Sequence, residues 1–154
     1  MKKTPYFILS LCLLAVSIST LQAQEAKGTW AKLSKVTFKK EYDDILGYEK
    51  DVPIFSKSVK ALNGKEITIK GYIIPVEGYK QQNYFVFSAF PYNMCYFCGG
   101  AGPETVMEVF TPKDKSIKYT AKPITIKGKL VLNSKDVSKL MYLLDKAVIV
   151  ETER

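Results

Sequence analysis

The chain has 154 residues, a net charge of +8 and no histidine; 47% of its residues are hydrophobic and 25% are charged. This composition is that of an ordinary globular protein, so it excludes collagen, long coiled coil and intrinsic disorder, and the length fits one domain. The absence of histidine excludes His-Cys zinc sites, Ser-His-Asp and Cys-His catalysis, and c-type haem ligation.

The first 23 residues have the layout of a secretory signal peptide. Lys2 and Lys3 form a positive segment, an apolar run follows over residues 6–21, and the small Ala23 precedes Gln24. We expect cleavage after Ala23 or Gln24, and therefore a periplasmic or secreted protein. Once the signal is removed, we expect no transmembrane span, because no later stretch is long and apolar enough.

The excess of basic residues does not indicate a nucleic-acid partner. Arg154 is the only arginine, and the lysines are scattered along the chain. Phosphate and base recognition favour the planar guanidinium of arginine. We therefore expect no nucleic-acid binding and assign the lysines to solvated faces and edges of strands.

Residues 24–52 are mixed, and we assign them to an N-terminal extension. Two apolar residues predict a short strand there, Val36 and Phe38, and residues 41–51 predict a polar loop with a helical turn. Pro53 then opens a segment with the spacing of a short amphipathic helix, which Asn63-Gly64 would end. Its apolar residues at i, i+4 and i+7 are Phe55, Val59 and Leu62.

Residues 53–154 carry the pattern of a β domain. Five strands are predicted, over residues 66–74, 84–90, 106–111, 123–132 and 142–150. We expect a bulge near Asp145-Lys146 and one helical turn over residues 134–140, capped by Ser134.

One short sequence occurs twice in the β domain. Residues 65–71 recur as residues 122–128 with one difference, Glu66 against Pro123. In each copy the two isoleucines are expected to face the core, and the final glycine to bend the strand and shift its alternation. Five strands with a bent first strand predict a mainly β fold, a small OB-like barrel, with one or two short helices. A small β-sandwich is the alternative.

The chemically distinctive segment is Met94-Cys-Tyr-Phe-Cys-Gly-Gly-Ala-Gly-Pro-Glu104. Cys95 and Cys98 have the spacing of a pair that can form a disulfide or bind a soft metal ion. The residues that would shape this loop are Gly99, Gly100, Gly102 and Pro103.

Several uses of this cysteine pair are consistent with the sequence. A structural disulfide would stabilise the loop by about 2 kcal/mol. A copper site would add Met94 or Met107, and a zinc site would add Glu104. Thiol–disulfide exchange is a further alternative, although a redox pair usually opens a helix, which Gly99-Gly100 disfavours. The pair could also shape a loop that binds a ligand or partner.

Aromatic residues are concentrated around the same segment. The phenylalanines are best explained by core packing. A groove for a small ligand or peptide would be lined by tyrosines, and the candidates are Tyr79, Tyr92 and Tyr96.

The chain resembles a family of small exported bacterial proteins of unknown function that are predicted to have an OB-like fold. The resemblance covers residues 55–150 and rests on four runs: Leu62-Asn-Gly-Lys65, Gly71-Tyr-Ile-Ile-Pro75, Tyr84-Phe-Val-Phe87 and residues 95–104. Some relatives are lipidated, but Cys12 lacks the preceding small residue that lipidation requires, so we expect it to be removed with the signal. Other relatives are linked with metal handling in the cell envelope, and this similarity slightly favours the metal alternative. Cys95 and Cys98 carry over from the family only as the cysteines of its motif.

We therefore expect an exported, non-enzymatic binding or accessory protein of the cell envelope, with its site at the paired-cysteine loop. Copper and zinc are the candidate metals, and the partner would be an envelope protein or a small ligand. The alternatives are a thiol–disulfide oxidoreductase and a structural interaction protein.

Overall fold

A computed structural model of the chain describes residues 28–44, 47–76, 78 and 81–152. The predicted signal peptide and Tyr79 lie outside the described residues. The helices are α1 (residues 28–33) and α2 (Lys57–Lys60). The strands are β1 (Val36–Asp43), β2 (Tyr48–Phe55), β3 (Glu66–Ile74), β4 (Gln81–Gln82), β5 (Tyr84–Ser88), β6 (Val106–Phe110), β7 (Ile117–Lys118), β8 (Ile124–Leu132) and β9 (Tyr142–Thr152).

Five of these strands form a closed barrel in the order β3-β5-β6-β9-β8, with β8 returning to β3. Every neighbouring pair is antiparallel except β6 and β9, which run parallel. This is the five-stranded Greek-key arrangement of an OB-like barrel, so the predicted fold class is confirmed. The bulge predicted near Lys146 is also confirmed, because the register between β8 and β9 shifts there and Lys146 has a φ of 53°.

The repeated sequence forms two neighbouring strands that pair with each other. Ile69 lies opposite Ile126, Gly71 opposite Ile124, and Gly128 opposite Ile67. The isoleucines of both copies are buried, as predicted. Each copy therefore places its glycine beside an isoleucine of the other copy.

The N-terminal part of the chain differs most from the prediction. Residues 41–43 and 48–51 do not belong to a polar loop with a helical turn, because β1 and β2 pair over their full length as an antiparallel hairpin. The helix predicted from Pro53 begins only at Lys57, where the Oγ of Ser56 accepts a hydrogen bond from the Val59 N–H at 3.3 Å. The i, i+4 spacing predicted too early a helix start because Phe55 belongs to a strand. Phe55 packs in the core from the end of β2.

The helical turn predicted over residues 134–140 is wrong. Residues 134–140 form an irregular segment between β8 and β9. The Asn133 side chain donates to the Asp136 carbonyl at 2.8 Å, and the Asp136 carboxylate accepts from the Ser138 backbone and hydroxyl. Such local side-chain bonds to the backbone compete with helix formation.

Helix α1 is anchored to the barrel by side-chain hydrogen bonds to backbone carbonyls. Thr29 donates to the carbonyl of Thr68, and the Trp30 indole donates to the carbonyl of Lys70, both at 2.8 Å. From the barrel, the buried Tyr142 hydroxyl donates to the Leu33 carbonyl at 2.6 Å. The N-terminal segment is thus part of the same packed core as the barrel.

Alkaline pH is expected to destabilise the fold through Tyr142. Burial raises the pKa of this phenol above its ordinary value of 10.0, and the Glu104 charge adds to the effect. Above pH 10.0 the unfolded chain loses this proton while the folded chain keeps it, so stability falls with rising pH, by up to about 1.4 kcal/mol per pH unit. Urea unfolding between about pH 8 and pH 11 measures this slope.

Tyr142→Phe is the matched control for this slope. The variant should lose about 1–2 kcal/mol at neutral pH, because the Leu33 carbonyl loses its donor. It should also lose much of the alkaline dependence. An unchanged slope in the variant would assign the alkaline effect to other groups.

Candidate functional site

The candidate site lies in the segment that joins β5 to β6, and we call residues 91–105 of this segment the cysteine loop. It contains three 3-10 turns, Tyr92–Met94, Tyr96–Cys98 and Pro103–Thr105. The second turn ends in a Schellman motif: the Gly99 N–H donates to the Tyr96 carbonyl at 3.0 Å and the Gly100 N–H to the Cys95 carbonyl at 3.3 Å. This motif returns the chain over Cys95.

Two of the loop glycines have conformations or contacts that a side chain would disturb. Gly99 has a φ of 76°, in the left-handed region. A methyl group on Gly100 would lie 2.7 Å from the Met94 carbonyl oxygen. Gly102 differs, since the three atoms nearest to a methyl group there all belong to the Glu104 carboxylate, the end of a flexible side chain. Pro103 begins the third turn, where its missing N–H costs nothing.

The two cysteines are free thiols with different environments. Cys95 is fully buried and packs with Ile74, Val86 and Val106 on the outer face of the barrel. Cys98 is exposed, and its Sγ donates to the Tyr92 carbonyl oxygen at 3.1 Å. Partial desolvation raises the pKa of the Cys98 thiol, and a hydrogen bond with Cys95 and the Cys95 charge raise it further. The two cysteines belong to one turn, because the Cys98 N–H donates to the Cys95 carbonyl at 3.1 Å.

The structure brings only one of the other predicted metal ligands near this pair. Met94 precedes Cys95 in the loop and is half-exposed. Met107 lies in the main barrel core, whereas Cys95 belongs to the separate outer cluster. Glu104 folds over Gly102, and among the described residues no group of three or more His, Cys, Asp or Glu side chains could hold a metal ion.

A buried carboxylate connects this region to the next loop. Glu108 of β6 is 6% exposed, and its Oε1 accepts a hydrogen bond from the Leu140 N–H at 2.9 Å. Leu140 in turn packs against the cluster that contains Cys95. The irregular segment between β8 and β9 is thereby held beside the cysteine loop.

A groove of about 630 Å³ lies between the hairpin β1–β2, the cysteine loop and residues 133–141. Of the tyrosines proposed to line a groove, Tyr96 does so, Tyr92 is exposed elsewhere on the loop, and Tyr79 is outside the described residues. Six lining residues come from β2 and eight from residues 133–141, and the sequence did not reveal the strand β2. The hairpin could have been recognised from the apolar residues that lie opposite one another in β1 and β2. These pairs can be identified only when the register of the two strands is known.

The fold and the site together define a small OB-like barrel that carries a paired-thiol loop. Residues 20–151 match the model of a family described as proteins of unknown function, DUF3299, so the chain belongs to that family. The resemblance to a family of unknown function is thus confirmed. No match to a curated protein was found.

Among solved structures, the chain is similar to the crystal structure of a DUF3299 family protein from Pseudomonas aeruginosa PAO1. The sequence identity is 19% and the TM-score is 0.45, and the similarity covers 66% of this chain and 70% of that chain. Among the described residues, no helix is long and apolar enough to cross a membrane.

Proposed function

We propose that the chain is an exported, non-enzymatic accessory protein of the cell envelope whose cysteine loop binds Cu(I) through Cys95 and Cys98. The observation that carries the proposal is that one 3-10 turn holds both cysteines, with the Cys98 N–H bonded to the Cys95 carbonyl at 3.1 Å. The predicted signal peptide supports export, and the family resemblance supports a role in metal handling.

The available ligands favour copper over zinc. Thiolate and thioether sulfurs are soft ligands that suit Cu(I), and Met94 is the neighbouring thioether. A structural zinc ion takes four ligands. Around the two cysteines, the described residues supply no third His, Cys, Asp or Glu side chain for zinc.

The environment of the thiols makes metal binding dependent on pH. The metal must displace both protons, and the raised pKa of Cys98 makes its proton harder to remove. Apparent affinity is therefore expected to rise with pH. The same raised pKa argues against a thiol–disulfide oxidoreductase, because such enzymes need a stabilised thiolate near neutral pH.

Copper binding is expected to depend on Cys98 and not on Met107. Reduced protein is titrated anaerobically with Cu(I) in competition with a chromogenic chelator. The natural chain should take up one Cu(I), and Cys98→Ser should bind more than about 100-fold more weakly, beyond the loss caused by removing a merely supporting group. Met107→Leu is the matched control, because Met107 lies in the core cluster away from Cys95 and should leave the affinity unchanged.

Native mass spectrometry of the unreduced protein separates the alternatives. A copper adduct that is lost on denaturation supports the proposal. A chain lighter by two hydrogens that takes up no Cu(I) even after reduction would identify the two cysteines as a structural disulfide. Cu(I) retained at full affinity by Cys98→Ser would place the metal elsewhere.

A further inference from the structure

The Cys95 thiol, one of the two proposed copper ligands, is closed off from solvent. Cys95 is fully buried. It packs in the outer cluster with Ile74, Val86 and Val106, which belong to the barrel strands β3, β5 and β6. Cys98, in contrast, is exposed. A metal ion or another reagent therefore reaches Cys98 directly, whereas it reaches Cys95 only after part of the cover over the cluster has moved.

The parts of this cover differ in how firmly they are held. The strands are paired within the closed barrel, and the turn that carries Cys95 is fastened by its Schellman motif. Leu140 is the partly buried residue that packs against the cluster from outside both, and residues 134–139 before it are all exposed. Segments with few buried apolar contacts open at the lowest free-energy cost. Leu140 is therefore the part of the cover that moves.

Glu108 holds the backbone of Leu140 in place. On β6, Met107 and Val109 lie in the main core, whereas Val106 lies in the outer cluster. Side chains alternate along a strand, so Glu108 shares the outer face with Val106. Glu108 is buried, and its Oε1 accepts the Leu140 N–H at 2.9 Å. Because a buried polar group without a partner costs free energy, Glu108 favours the position in which Leu140 covers the cluster.

The groove gives Leu140 a space to move into. Leu140 packs against the cluster and also lines this groove of about 630 Å³, together with Met141. Tyr96 and Pro103 of the cysteine loop line the same groove. A displacement of Leu140 into the groove therefore opens a path to Cys95 from the groove side.

We propose that Leu140 and Glu108 form a gate over Cys95, and that local opening of this gate sets the rate at which the buried thiol becomes available. Glu108 is a positioning residue, because it acts through the Leu140 N–H. For copper, the exposed Cys98 takes the ion first, and Cys95 completes the site when the gate opens. This order of binding rests on the proposed function, whereas the gating of the thiol does not.

Labelling of Cys95 measures the gate without any metal. The Cys98→Ser chain is treated with iodoacetamide, a small neutral reagent, and the label on Cys95 is followed by peptide mass spectrometry. Local opening exposes little surface, so the labelling rate should stay constant at low urea and rise only where global unfolding takes over. A rate that rises with urea from the start, in parallel with global unfolding, would overturn the proposal.

Two substitutions of Glu108 in this background separate the hydrogen bond from the charge. Glu108→Leu should speed the labelling of Cys95 by up to about tenfold, because the Leu140 N–H loses its acceptor. Glu108→Gln keeps a side-chain oxygen that accepts this bond and should label within about twofold of the background. Both variants remove the same charge, so equal acceleration in the two would assign the effect to charge and overturn the gate.

A second pair of variants tests the cover itself. Leu140→Ala should speed the labelling of Cys95 by about tenfold or more, because the shortened side chain no longer closes the cluster. Val137→Ala is the matched control, since Val137 is exposed and lies outside the cluster. Thr29→Val removes the hydrogen bond to the Thr68 carbonyl and lowers global stability, yet it should leave the rate without urea unchanged. Equal rates in Leu140→Ala and Val137→Ala would contradict the gate.

Stopped-flow mixing with Cu(I), with Cys98 present, separates the gate from the proposed function. Glu108→Leu should complete the copper site faster than Glu108→Gln, by the factor measured in labelling. A gate shown by labelling in a chain that takes up no Cu(I) would reject the copper proposal and leave the gate standing. Equal Cu(I) uptake rates in the two variants, despite different labelling rates, would overturn the proposed order of binding.

Discussion

Gly71→Ala is expected to destabilise the protein by about 3 kcal/mol or more, or to prevent folding. A methyl group at this position would lie 2.9 Å from the Phe87 ring and closer still to the Ser88 carbonyl oxygen. Neither neighbour can move freely, because Phe87 is fully buried and Ser88 is paired within β5. Gly71 is also the residue at which β3 changes partner from β8 to β5.

Urea unfolding followed by circular dichroism measures this effect. The control is Gly28→Ala, where a methyl group would meet nothing within 4 Å. Gly28 lies at the start of α1, and its replacement should change stability by less than about 0.5 kcal/mol. A Gly71→Ala protein as stable as the control would show that the barrel can separate β3 from β5 at little cost.

Gly100→Ala is expected to disrupt the cysteine loop while leaving the barrel folded. The methyl group would lie 2.7 Å from the Met94 carbonyl oxygen and 3.0 Å from the Met94 carbonyl carbon. These are backbone atoms, so the Schellman motif must open and its hydrogen bond to the Cys95 carbonyl must weaken. We expect a loss of about 1–3 kcal/mol in stability and, if the copper proposal holds, at least about tenfold weaker Cu(I) binding.

The matched control is Gly102→Ala in the same loop. There a methyl group meets the Glu104 carboxylate, which lies at the end of a flexible side chain and can turn away. Thermal unfolding and the Cu(I) titration should therefore give nearly natural values for Gly102→Ala. Equal losses in the two variants would indicate a general sensitivity of the loop and contradict a specific role for the turn at Gly100.

The barrel strands could be predicted because each has a local pattern of apolar residues that is typical of a strand. β3 has the predicted bounds, and β8 and β9 differ from prediction by one or two residues at an end. The expected shift of alternation at Gly71 was wrong, because Ile67, Ile69, Gly71 and Ile73 keep one inward phase. The buried Ile74 that suggested a shift faces outward and is covered by Cys95 of the cysteine loop.

The hairpin and the groove could not be predicted because their signals are not local. Phe38 and Tyr48 remain exposed although they are apolar, so the hairpin lacks the clean inward and outward alternation of a strand pair. Pro53 and Phe55 suggested a helix start because nothing in the sequence shows that Val36 lies opposite Phe55. The cysteines could be identified as a pair, but their unequal burial depends on the outer face of β3, β5 and β6.

The pairing of β3 with β8 has a consequence for the order of events during synthesis. β3 leaves the ribosome early, but the strand that closes the barrel against it is made only after the cysteine loop is complete. β9 must then enter between β6 and β8. Until that moment β3, β5 and β6 can form only an open sheet with two free edges, so the chain is most exposed to wrong pairing while β8 and β9 are still missing.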